Sequence, residues 1–387
     1  MTQHYSDLGD VCSFLNGGTH SKSRAEYYGG DIPWITGADI LDGQIATPRT
    51  YITQLGLQKS SANLAEPGSV LLVTRTSVGK VAKVPIPLSF SQDITALIPD
   101  PSRLDADYLV HFLRTNAARL AGAARGATIK GVTRSVVEGL RVPLPPLPEQ
   151  RRIAAILDHA DALRAKRRET IARLDEFTES ILFDLLRSVE SVPTMRFGEL
   201  CGGELRNGVS PSSQGSIRRR VLTLSAVTGG RFDASANKIG TFREEPSPDQ
   251  RVRSDLFLIC RGNGNVKLVG RGCFPSLDQP DVVFPDTIIA ARPDSSLCNR
   301  DFLEQVWKTE LIRGQLERRA RTTNGTLKIN QRSLEQVEIP LPPIARQNAF
   351  GVFVGSIADR RASAADSLAS LNSLFASLQS RAFRGEL

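Results

Sequence analysis

Between Ile153 and Leu185 a stripe recurs at alternating four- and three-residue steps: Ile153, Leu157, Ala160, Arg164, Arg167, Ile171, Leu174, Thr178, Ile181 and Leu185. Shifted by 197 residues, the same steps fall on Phe350, Val354, Ile357, Arg361, Ala364, Leu368, Leu371, Phe375, Leu378 and Ala382. Both stripes are apolar at their ends and middle, and Arg164 coincides with Arg361. A 3.5-residue repeat sustained over four or more heptads is the signature of coiled-coil helices. Two helices of about 40 residues are expected, each spanning on the order of 60 Å at ~1.5 Å per residue. Leu157, Ile171, Leu174 and Ile181 of the first should pair with Val354, Leu368, Leu371 and Leu378 of the second. An ordinary core hairpin would show the same spacing. Both stripes, however, follow a proline-stiffened exit from a globular segment, which favours domain spacing. A whole module lies between them in sequence, so they can lie antiparallel within one chain.

The segments before each helix pattern differently, as short β-rich runs punctuated by Gly, Pro and Asp. Val70–Leu71–Leu72–Val73–Thr74, entered from Glu66–Pro67–Gly68, predicts a buried strand, and Ile94 to Ile98 another. Asp105 to Ala121 has helical spacing through Tyr108, Leu109, Phe112, Leu113 and Leu120. The second segment repeats the order, with strands at Leu256–Cys260 and Thr287–Ala291 and a helix over 302–316. Regular β-α alternation is absent, which excludes a doubly wound sheet. The expected fold is therefore α+β and internally duplicated: two globular mixed α/β modules, 1–147 and 191–343, joined by long antiparallel coiled-coil helices over 148–190 and 344–387.

The two exits read alike. Pro143–Leu144–Pro145–Pro146–Leu147–Pro148–Glu149–Gln150–Arg151 opens the first helix, and Pro340–Leu341–Pro342–Pro343–Ile344–Ala345–Arg346–Gln347 the second. A repeat of half the chain is too long for a solenoid unit and reads as a duplicated domain plus helix. Pro148 suits a first helical turn and Glu149 complements its positive end. The second copy has Ala345 and Arg346 instead, so that helix should start less cleanly. Gly385 falls where a C-cap is expected after Arg384.

Composition narrows the function. The N-terminus has no apolar signal region and no apolar run is long enough to span a membrane, so a cytoplasmic protein is expected. Five scattered cysteines without a C-x-x-C pair read as free thiols. The net charge of +8 is not carried by the helices: residues 189–345 hold 22 basic and 18 acidic side chains, half of the excess. That favours a polyanionic partner without establishing one. Catalytic signatures are missing: no Asn-Pro-Pro-aromatic tetrapeptide, no phosphate loop, no H-E-x-x-H and no ligand-spaced pair among His4, His20, His111 and His159. Neither catalytic nor metal-ligating residues are assigned. Gly262–Asn263–Gly264–Asn265 follows a strand, but Val266–Lys267–Leu268–Val269 reads as continuing strand, so a hairpin turn is expected there and not a nucleotide loop.

Two tracts recur in the modules and carry the candidate chemistry. The first follows the buried strand: Arg75, Ser77 and Lys80 in module one, and Arg261, Asn263, Asn265 and Lys267 in module two. An arginine, small residues and a lysine place cations on a turn that another backbone can approach closely. The second precedes the proline exit: Gly126–Ala127–Thr128–Ile129–Lys130, and Gly325–Thr326–Leu327–Lys328. Thr128 with Lys130, and Thr326 with Lys328, could hold a phosphate through backbone N–H, hydroxyl and ammonium together. Solvated charges, arginines bracing their own loops, and loop-closing threonines are the plainer readings. Arg218–Arg219–Arg220 and Arg318–Arg319–Arg321 are further cation sources, each equally consistent with a solvated face. Trp34 reads as core.

The proline–glutamate–glutamine tract with its helix, and the terminus Leu378–Gln379–Ser380–Arg381–Ala382–Phe383–Arg384–Gly385–Glu386–Leu387, resemble the specificity subunits of type I restriction–modification systems. The resemblance covers essentially the whole chain. It implies that 1–147 and 191–343 are target-recognition domains, each reading one half of a bipartite, asymmetric sequence in double-stranded DNA. The helices would set the gap and dock two methyltransferase subunits, with a motor-nuclease subunit completing a restriction complex where the locus encodes one. It implies no cofactor in this chain; S-adenosylmethionine, ATP and Mg would sit on the partner subunits. The recognition tracts would then read base edges, arginine pairing bidentately with guanine O6 and N7 and lysine with phosphate. A stand-alone DNA-binding regulator and a protein-binding scaffold are the alternatives.

Overall fold

The computed structural model describes residues 4–21, 23–41, 43–126, 130–187, 192–323 and 326–387. The chain divides into two compact units, Met1–Arg168 with Asp366–Leu387, and Glu169–Ala365. The division falls inside both long helices, so each unit comprises one module and about half of each helix.

Module one is built on two four-stranded sheets. The first runs in the order Cys12–Asn16, Ile94–Pro99, Val70–Val73, Val81–Lys83, antiparallel throughout. The second runs Thr50–Ile52, Tyr28–Ile35, Leu88–Phe90, Leu64–Ala65, with one parallel pair between Tyr28–Ile35 and Leu88–Phe90. The four residues of Val70–Val73 are fully buried because both faces of the first sheet are covered. Val70 and Leu72 pack with the helical layer, whereas Leu71 and Val73 pack with Ile35, Leu88 and Phe90 of the second sheet. Period-two alternation thus serves two cores from one continuous apolar run.

Module two repeats this strand for strand. Leu205–Asn207, Ile288–Ala291, Phe257–Cys260 and Gly272–Cys273 form its first sheet. Asn237–Phe242, Ile217–Leu222, Gln279–Val283 and Arg251–Val252 form its second, again with one parallel pair, Ile217–Leu222 beside Gln279–Val283. Phe257 and Ile259 face the helices while Leu258 and Cys260 face the second sheet. In each module the entering strand pairs with the exit strand, Tyr5–Asp7 with Arg141–Pro143 and Thr194–Arg196 with Glu338–Pro340.

The long helices run Leu147–Arg187 and Ile344–Ala382. Every residue of the two stripes is buried or half-buried. Within unit one, Arg164 Nε donates to Asn372 Oδ1 at 2.7 Å and its guanidinium lies over the Phe375 ring. Ile153 and Leu157 share a core with Ala382. One segment therefore descends as the other climbs. Unit two is related: Arg361 Nε donates to Asp175 Oδ1 at 2.7 Å, Phe177 meets Phe353 edge-on, and Leu182 shares a core with Phe350 and Val354. Asp175 and Asn372 stand 197 residues apart, as do Arg164 and Arg361, so the helix contacts obey the duplication.

The repeated tract has a structural explanation in its glutamine. Gln150 is fully buried: its Oε1 accepts from Asp105 N at 2.9 Å, and its Nε2 donates to Arg103 O at 2.8 Å and Pro145 O at 2.9 Å. Gln347 does the same in unit two with Asn299 N, Leu297 O and Pro342 O. One amide thus bolts the start of a long helix to the N-cap of the module's own helix.

Several expected elements change shape. The helix over 105–121 is two, Ala106–Thr115 and Ala117–Ala123, because Asn116 Nδ2 turns back to Phe112 O. The helix over 302–316 is likewise Arg300–Val306 and Glu310–Arg319. Apolar spacing continues across both breaks and hides them. The second long helix starts at Ile344 despite Arg346, its exit fixed by the buried Gln347 and not by first-turn charge. It ends at Ala382, three residues before Gly385, whose φ of +71° accompanies a Glu386 N–H to Arg381 O bond.

All four histidines precede residue 169, and unit two has none. His111 is buried with Nε2 2.8 Å from Asp158 Oδ1, and His20 is buried against Tyr28 and Trp34. Burial lowers both pKa values, opposed at His111 by Asp158. A depressed histidine favours the neutral fold, so this stability is intact above the ordinary histidine value of about 6.5 and declines as pH falls below it. Acidification from about pH 7 to 5 should lower the melting transition of unit one ahead of unit two. Differential scanning calorimetry checks this, and parallel shifts would refute it.

Candidate nucleic-acid interface

Backbone pairing brings the two repeated tracts together in each module. In module one the chain leaving Val70–Val73 has Arg75 bridged to Gly131, with Thr76 N donating to Lys130 O at 3.0 Å and Val132 N to Thr74 O at 2.9 Å. Arg125 pairs with the other edge of Gly131. A side chain at Gly131 would be tight, since a Cβ would stand 3.0 Å from both Arg75 Cγ and Thr74 O and these neighbours would have to give by a few tenths of an ångström. In module two Gly262 pairs with Lys328 and Asn263 with Leu327, while Ile329 N donates to Arg261 O at 2.8 Å. There the second tract is itself a hairpin of Arg321–Thr323 and Thr326–Lys328.

The side chains then separate into open and occupied groups. Arg75 and Lys130 are exposed with no side-chain partner among the described residues. Ser77 is half-buried, and Lys80 donates through Nζ to Gly37 O at 3.0 Å, which ties it to its own module. Thr128 lies outside the described residues, as does the side chain of Thr326. In module two Lys267 and Lys328 are exposed and likewise without side-chain partners among the described residues. Arg261 is half-buried, its Nη1 donating to Asp286 O at 3.2 Å, so it braces a neighbouring loop.

Asn263 and Asn265 shape the turn. Asn263 Oδ1 accepts from Asn265 N, and Asn265 Oδ1 from Lys267 N, each at 3.0 Å. The expectation that 266–269 continues as strand is corrected: Val266–Leu268 is a 3₁₀ turn capped by Asn265. An asparagine carbonyl that satisfies the second N–H onward favours a turn over a ladder, whatever the β-propensity of Val266 and Val269. Arg313, almost fully buried, holds the turn by donating to Val269 O at 2.9 Å and Val266 O at 3.3 Å. No local pattern marked Arg313 for this, because the carbonyls it holds lie more than 40 residues away; its one local partner among the described residues is Glu317, at 3.3 Å.

The basic runs also divide. Arg219 makes a bidentate pair with Glu245, at 3.0 and 2.6 Å. Strand alternation places Arg218 and Arg220 on the other face, exposed and with no side-chain partner among the described residues. Arg319 is spent on Gln315 O and Gln336 O. Trp34, expected in the core, is half-buried and outside the buried core clusters; its indole donates to Gly18 O at 3.2 Å and packs edge-on against His20.

Among the described residues no cluster of His, Cys, Asp or Glu is arranged to hold a metal, and no helix is long and apolar enough to cross a membrane. Fold and site define a duplicated two-module protein that displays cations where two backbone tracts meet. Residues 3–173 match the family model of the type I restriction modification DNA specificity domain. The EcoKI specificity subunit of Escherichia coli strain K12 is 24% identical over 406 residues, covering 97% of this chain and 87% of that protein. The StySPI specificity subunit of Salmonella potsdam is 25% identical over 405 residues, with the same coverage. In fold, the type I S subunit from M. genitalium aligns over 99% of this chain and 96% of its own, with a TM-score of 0.60 at 16% identity. Residues 3–173 thus carry the DNA specificity domain of type I restriction–modification systems, and the chain as a whole is similar to their specificity subunits.

Proposed function

We propose that this chain reads a bipartite, asymmetric sequence in double-stranded DNA for a cytoplasmic type I restriction–modification complex, and itself catalyses nothing. The observation that carries this is the junction of the two repeated tracts in both modules, with open cations from each. Each junction offers a lysine or arginine beside closely approachable backbone, which suits phosphate anchoring with adjacent base-edge readout. The two half-sites differ because the open groups differ: Arg75 and Lys130 in module one, Lys267 and Lys328 in module two. The long helices set the gap between half-sites and dock two methyltransferase subunits, which bring S-adenosylmethionine. ATP and Mg belong to a motor-nuclease subunit where one is encoded.

The test is a methylated-adenine map of the native host's genome with the gene intact and deleted. A gapped two-part motif that loses methylation on deletion supports the proposal. A palindromic motif would contradict two unlike modules, and an unchanged map would contradict the role itself. A second prediction concerns Arg218 and Arg220. If they neutralise two phosphates, replacing both with alanine lowers the slope of log affinity against log salt by about 1.8. Titration of duplex DNA at several salt concentrations reads this out. Arg219→Ala, which removes a group already paired with Glu245, should leave the slope almost unchanged.

A further inference from the structure

We infer that the Arg75–Thr76–Ser77 turn of module one is a strained presenting device, in which Thr76 is a positioning residue that aims Arg75 at a guanine edge. The inference rests on the DNA reading proposed above and assigns the guanine to the half-site read by module one.

Thr76 has φ +65°, and among the described residues it is the one non-glycine with positive φ. A β-branched residue is poorly suited to that region, where its Cβ crowds the neighbouring carbonyl. Ser77 N donates to Arg75 O at 2.8 Å, closing a three-residue turn about Thr76. This is the γ-turn of positive φ, the rare and strained form. Strain of this kind persists only where the surroundings over-determine the backbone. They do so here: Thr76 N is held by Lys130 O, Arg75 is bridged to Gly131, and Arg75 N reaches Asp93 O at 3.3 Å. Immediately beyond, Gly79 N returns to Val73 O at 3.0 Å and Val73 N bonds Lys80 O at 2.9 Å, so the arch is pinned at its base.

The consequence is a chain that reverses within one residue and leaves Arg75 exposed, with no side-chain partner among the described residues. A guanidinium on a rigid backbone loses little freedom when its planar fork meets guanine O6 and N7. Module two lacks the device. Its Arg261 is half-buried and engaged with Asp286 O, and the following Gly262 lies in a regular strand pair with Lys328. Guanine readout by this arginine is therefore a property of one half-site only.

The experiment places Arg75→Ala, Arg75→Lys and Thr76→Gly in the chromosomal gene of the native host. Methylated adenines are mapped genome-wide, and the purified chains are melted. Wild type should methylate one gapped motif. All three variants should lose preference for guanine at one position of one half, by about 5- to 150-fold in relative methylation. Thr76→Gly should melt no lower than wild type, because glycine adopts positive φ without strain. Loss of methylation at every site with unchanged melting also supports the contact. The inference is overturned if Arg75→Lys keeps the wild-type motif, which would make the contact a phosphate one. It is also overturned if Thr76→Gly keeps full discrimination, or if lost methylation tracks lowered melting. If wild type itself shows no motif that depends on this gene, the underlying DNA reading fails instead, and the two failures are told apart by that one sample.

Discussion

Replacing Gln150 with leucine should destabilise unit one by about 3–5 kcal/mol, among the largest effects available to a polar residue here. The side chain is fully buried and makes three hydrogen bonds, all to backbone groups. Leucine matches it roughly in size but leaves Asp105 N, Arg103 O and Pro145 O without their partner, at about 1–3 kcal/mol for each group that water cannot reach. Gln347→Leu should do the same to unit two and spare unit one. Glu149→Gln is the control: its carboxylate makes an exposed i,i+3 pair with Arg152, worth at most about 0.5 kcal/mol. Calorimetric or denaturant melts in which Gln150→Leu and Glu149→Gln behave alike would refute the bolt.

The second large effect separates two parts of one helical stripe. Leu157 is fully buried in the core of unit one with Tyr108, Leu109 and Phe112. Leu157→Ala should cost about 2–5 kcal/mol, the transfer term plus the cavity left behind. Leu174 lies on the same stripe, at the other of its two heptad positions, but is half-buried and belongs to no buried core cluster. Leu174→Ala should cost less than about 1.5 kcal/mol, since solvent already reaches part of the side chain. Equal losses at the two sites would mean that the helix middles have a core of their own. Val354, buried with Phe350 and Leu303, should behave like Leu157; Leu368 and Leu371, half-buried, like Leu174.

The stripe itself was legible in the sequence because a helix imposes its period on every turn, whatever it packs against. What differs along it was not. Ile153, Leu157 and Ala160 meet a module core, whereas Ile171 and Leu174 lie beyond it, and no local pattern encodes where a neighbouring sheet ends. Buried strands were legible for a similar reason: Val70–Val73 and Phe257–Cys260 are continuous apolar runs that only a two-sided burial accommodates. The sheet order that makes the modules copies of one another was out of reach, since most pairings join residues far apart in sequence.

The candidate interface divides in the same way. The sequence by itself determined that two cation-bearing tracts recur in each module, that the helices are long and amphipathic, and that the proline exits are duplicated. These are local signals, carried by residue type and spacing. Tertiary structure alone decided that the two tracts share one junction, through Gly131 in module one and Lys328 in module two. It also decided that Lys80 and Arg261 are occupied while Arg75, Lys130, Lys267 and Lys328 have no side-chain partner among the described residues, and that Thr76 is held in a left-handed turn. The physical reason is common to all three. A side chain's freedom, and a backbone's strain, depend on acceptors such as Gly37 O, Asp286 O and Lys130 O that arrive from 25 to 54 residues away, and only the fold brings them within 3.2 Å.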